Sequence, residues 1–91
     1  MSDQEIRDGR SAQVLLDNPL FKDAFTQIES GLIEKMAQVP MGDIDTQHEL
    51  VLSLQLIRKL KKQFVTVVET GKMAQIQKDT LMDKIARNIR K

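Results

Sequence analysis

The chain has 91 residues, a net charge of +1 and no cysteine, which bounds it to one small domain without a disulfide framework or a thiolate metal site. No run approaches the ~18 apolar residues that a membrane span requires. The start, MSDQEIRDGR, is acidic and polar rather than a secretory signal, so the expected compartment is cytoplasmic, with no membrane partner.

The net charge hides an asymmetry. Residues 1–50 hold 4 Lys/Arg and 10 Asp/Glu, a balance of −6, and residues 51–91 hold 10 and 3, a balance of +7. This polarity fits head-to-tail contact between molecules, an acidic partner for the C-terminal half, or opposite-charge helices packed within one fold.

Met1 to Gly9 lacks periodicity, so residues 1–10 read as a flexible arm and residues 11–91 as one helical domain. Ser11 to Asp17 forms a short helix with Ser11 as its N-cap. Asn18 then caps a second helix, with Pro19 at the first helical position, where its missing N–H is not needed. Phe21, Phe25, Ile28, Leu32 and Met36 recur at spacings of three and four, which carries this helix from Pro19 to about Gln38. Gly31 lies inside it, either allowing close approach of another helix or merely tolerated. Val39-Pro40-Met41-Gly42-Asp43 is a turn, and its brevity predicts an antiparallel hairpin.

The domain is organised on the central helix, Thr46 to Glu69. Thr46 and Glu49 have the spacing of a capping box. At 100° per residue, Leu50, Leu54, Ile57, Phe64, Val65 and Val68 fall on one side, extended by Leu56, Leu60, Val67 and Val51. An ordinary surface helix carries an apolar stripe a little over ~100° wide, and this arc is roughly twice that. It needs two or more neighbours, so the chain is expected to be a homo-oligomer. The partner face is Leu50, Leu54, Ile57, Leu60, Lys61, Phe64 and Val68. Lys61 intrudes on the apolar arc, where it snorkels outward, pairs with a carboxylate or sets register.

Gly71 offers two readings. It closes the helix as a left-handed cap, or the helix passes through it, bent or loosened, to about residue 88. The heptad favours passage. Leu50, Ile57, Phe64, Gly71, Lys78 and Ile85 form one series; Leu54, Lys61, Val68, Gln75, Met82 and Ile89 form the other. Such a helix would span about 65 Å and would itself imply assembly as a coiled coil.

Chemistry-bearing constellations are sparse. His48 follows Asp43 and Asp45, but the positions where a calcium loop needs Gly and Glu hold His48 and Leu54. Thr70-Gly71-Lys72 lacks the remainder of a phosphate loop. No catalytic, metal or cofactor-binding residue is assigned, and the chain is not expected to be an enzyme. Arg58, Lys59, Lys62, Lys84, Arg87 and Arg90 form a basic set suited to an acidic partner or a phosphate backbone, or simply to solvation. No aromatic interleaves with the C-terminal cations, which disfavours stacking of single-stranded bases.

Ala12-x-x-Leu15-Leu16-Asp17-Asn18-Pro19, Ala24-Phe25 and Gly71-Lys72-x-Ala74 resemble the small all-helical proteins encoded by many tailed bacteriophages. The resemblance covers about Ser11 to Ile76. It implies a phage setting of virion assembly, scaffolding or packaging, in the host cytoplasm or on the virion. The expected partners are copies of the chain and a capsid, portal or packaging protein. The expectation is thus an all-α, oligomeric structural protein, with a nucleic-acid-binding regulator or DNA-packaging accessory as the alternative.

Overall fold

The computed structural model describes residues 2–89, and every regular element among them is a helix: α1 (Asp3–Asp17), α2 (Pro19–Gln38) and α3 (Ile44–Ile89). The residues cluster into two compact units, Met1–Leu15 with Phe64–Lys91, and Leu16–Gln63.

The first correction is the N-terminal arm. Residues 3–10 are helical, and Ser11 lies inside α1 instead of capping it. The start is fixed by Ser2, whose Oγ accepts from the Glu5 amide at 3.1 Å while donating to the Glu5 carboxylate at 3.1 Å. Ser2-x-x-Glu5 is a capping-box spacing. Gly9 sits mid-helix, and Ile6, Gly9 and Ala12, three residues apart, are buried.

The second helix follows the sequence reading. Asn18 is extended (φ −69°, ψ 122°), and its side-chain oxygen accepts from the Leu20 and Phe21 amides at 2.9 and 3.3 Å. Pro19 occupies the first turn, where its ring suits the helical φ. At the other end Val39 leaves helical geometry while its N–H donates to the Lys35 carbonyl at 3.1 Å.

The start of α3 also differs. Asp43, not Thr46, is the cap. Its carboxylate accepts from the Thr46 amide at 3.2 Å and from the Thr46 hydroxyl at 2.7 Å. The hydroxyl bond first, and then the amide bond, hold the Asp43 carboxyl below its ordinary range. A carboxyl lowered by folding contributes stability that is complete above its unfolded value and lost as pH falls through its folded one. Asp43→Ala is therefore expected to lower the melting temperature at neutral pH and to flatten part of the acid loss of helicity. Asp43→Asn should retain the cap and remove its pH dependence. Circular dichroism melts from pH 7 to 2 check both.

From Ile44 the helix runs without interruption to Ile89, and none of the described residues has positive φ. Gly71 is helical, so of the two readings the continuous one holds.

In the unit Leu16–Gln63, α2 and the first part of α3 are antiparallel. Gln47 Nε2 donates to the Met36 carbonyl at 2.9 Å, and Arg58 Nε lies 3.8 Å from a Glu29 oxygen. Phe25 is buried there and tilts against Phe21, with ring centroids 4.9 Å apart. Gly31 has no atom within 4 Å of where a Cβ would stand. It is tolerated in the helix without serving an approach.

Candidate interaction faces

In the unit Met1–Leu15 with Phe64–Lys91, α1 crosses α3 antiparallel through paired glycines. A Cβ built on Gly71 would stand 2.8 Å from the Glu5 carbonyl oxygen and 2.8 Å from the Gly9 Cα. One built on Gly9 would stand 2.9 Å from the Gly71 Cα and 3.2 Å from the Val67 carbonyl oxygen. The two backbones are therefore in contact, with no room for any side chain between them. Each helix contributes the same pattern at three-residue spacing: Ile6, Gly9 and Ala12 from α1, and Val68, Gly71 and Ala74 from α3, all buried. Small residues at the crossing let the larger Ile6 and Val68 pack at its edges.

Polar groups flank this crossing. Lys78 Nζ donates to Asp3 Oδ1 at 2.9 Å, and Arg10 Nη2 to Gln75 Oε1 at 3.2 Å. The Lys78 hydrogen bond, and then its charge, hold the Asp3 carboxyl below its ordinary range. Both partners are well exposed, so the pair fixes register more than it stabilises. A shallow groove beside the crossing is lined by Glu5, Glu69, Thr70, Met73, Ala74 and Gln77. Among the described residues no three His, Cys, Asp or Glu lie close enough to hold a metal ion.

The expected partner face divides in the structure. Leu50, Leu54 and Ile57 are half-buried, and they share with Gln47 the side of α3 that meets α2. Phe64 is also half-buried. Val68 is buried under α1 and is not available to a partner, which corrects its assignment. Leu60 and Lys61 are exposed. Leu52 and Leu56, outside the expected face, repeat every fourth residue with Leu60, and all three stand open, Leu56 at 66 %. Their spacing was visible in the chain. Which flank α2 leaves open was not.

The basic residues are likewise divided. Arg58 is paired with Glu29, and Lys59 and Lys62 beside it are exposed. These three belong to the unit Leu16–Gln63, whereas Lys84 and Arg87 belong to the other. Arg87 Nη2 holds Asp83 at 2.6 Å. Arg90 lies outside the described residues. Two of these cations are thus already engaged by carboxylates of their own chain.

What remains conspicuous is apolar. Among the described residues, eighteen large hydrophobic side chains are exposed and five hydrophobic ones, two of them alanines, are buried. None of the larger side chains is fully enclosed. Among the described residues no helix is long and apolar enough to cross a membrane. No protein-family model, no curated protein and no solved structure matches the chain.

Proposed function

We propose that this chain is a non-enzymatic helical protein that works by associating with copies of itself and with a protein partner. One observation carries the reading: far more aliphatic side chains stand open to solvent than are buried. Burying one such side chain fully is worth about 1.5–3 kcal/mol. Scattered exposed leucines are ordinary, but among the described residues only Ile6, Phe25 and Val68 are large side chains that are buried, and none of them fully, so the single chain has a thin core to hold it. Association supplies the missing burial. The resemblance to small helical phage proteins supports virion assembly or scaffolding as the setting.

Light scattering on a dilution series tests this. The expected result is a molar mass above the 10.4 kDa of one chain, falling as the protein is diluted, with a melting temperature that rises with concentration. A stable, cooperative monomer at every concentration would overturn it.

A further inference from the structure

One stretch of α3 has no neighbour in its unit. Every residue from Asp79 to Ile89 is exposed, whereas Val68, Gly71 and Ala74 just before it are buried. The change falls where Asp3, the first residue of α1, meets Lys78. Beyond that point Met82, Ile85 and Ile89 continue the three-and-four spacing of Gly71, Gln75 and Lys78, with Leu81 alongside. The side of α3 that α1 covers therefore runs on, uncovered, past the end of α1.

Charge indicates the occupant. Asp79 accepts from Gln75 at 2.8 Å and Asp83 from Arg87 at 2.6 Å. Within Asp79 to Ile89, Lys84 and Arg87 balance Asp79 and Asp83, and the sequence continues with Arg90 and Lys91, so the excess positive charge falls at one end of the stripe. Its ends are unlike. The first turn of α1 is acidic, with Asp3 and Glu5, and the last turn of α3 carries Arg87. Because α1 is antiparallel to α3, a second α3 laid antiparallel on the open stripe would run in the same direction as α1. Its basic C-terminal end would then approach the acidic N-terminal end of α1, with the helix dipoles head to tail. A parallel copy would instead bring a second α1 up against the first.

We propose that Leu81, Met82, Ile85 and Ile89 pack antiparallel on the same four residues of a second copy, with Ile85 near the two-fold axis. Such a contact is self-complementary and closed. It rests on the reading that the chain self-associates, and it names the surface and the orientation.

The test uses the full chain, which has no native cysteine. Lys72 is exposed, and Lys72→Cys provides one spin-label site. In the antiparallel pair the two labels stand about 40 Å apart along the helices, and in a parallel pair under about 25 Å. Ile85→Glu should weaken association about 100-fold, and at dilutions where the wild type is itself dissociated its circular dichroism should match the wild type's, because Ile85 is exposed in the single chain. Ile89→Glu, at the more exposed end, serves as a second variant to the same purpose. A short label distance, or undiminished association of both variants, overturns this contact while self-association stands. A wild-type chain that never associates overturns both.

Discussion

Gly71→Ala is expected to destabilise the unit of α1 and the C-terminal part of α3 by about 1–3 kcal/mol, the range for forcing atoms into a filled contact. Helix propensity alone gives the opposite sign, since alanine is favoured over glycine by about 1 kcal/mol within a helix. The clash wins because the new methyl meets the Glu5 carbonyl oxygen and the Gly9 Cα, both backbone atoms that no rotamer change can move aside. The helices must separate, and Ile6, Ala12, Val68 and Ala74 lose burial together. Gly9→Ala should behave alike, because its methyl meets the Gly71 Cα and the Val67 carbonyl. The double variant should cost less than the two singles combined, since one methyl already opens the crossing. Gly31→Ala is the control. With open space around it, only propensity acts, and a gain of about 0.5–1 kcal/mol is expected. Urea titrations of the four variants check the signs, and hydrogen exchange should place the loss in α1.

That contrast marks how far the sequence could be read. Signals that act along the chain were legible. Asn18-Pro19 starts α2, the apolar spacing carries it to Gln38, and the heptad carries α3 through Gly71. Signals that act across space were not. Gly9 reads locally as a helix breaker, and its use appears only when the Gly71 backbone stands against it. For the same reason residues 1–10 read as an arm, although Ser2-x-x-Glu5 marks a helix start and Ile6, Gly9 and Ala12 repeat the spacing of Val68, Gly71 and Ala74. Thr46 and Asp43 are both plausible caps by type. The choice between them turned on which side chain reached the other's amide. For the interaction faces, the width of the apolar arc on α3 could be counted, but not its division. α2 half-covers Leu50, Leu54 and Ile57, α1 buries Val68, and Leu52, Leu56 and Leu60 are left open.

Phe25→Ala is the substitution expected to cost most. Phe25 is the largest side chain among the buried residues, at 8 % exposure, and its ring leans on Phe21. Removing a buried phenylalanine ring costs about 3–5 kcal/mol, and the thin surroundings here favour the lower end, about 3. Phe25→Leu, which keeps much of the volume, should cost less than about 1.5 kcal/mol. The loss should be local. Phe25 lies in the unit Leu16–Gln63, held by the Gln47–Met36 hydrogen bond and the Arg58–Glu29 pair. Hydrogen exchange in Phe25→Ala should therefore rise over α2 and residues 44–63, while α1 and residues 64–78 stay protected by the glycine crossing. The antiparallel contact through Ile85 belongs to that second unit, so Phe25→Ala should still associate at concentrations where Ile85→Glu does not. If protection falls evenly from Asp3 to Ile89 instead, the chain opens as one cooperative body. The C-terminal stripe then depends for its presentation on the phenylalanine contact as much as on Gly9 and Gly71.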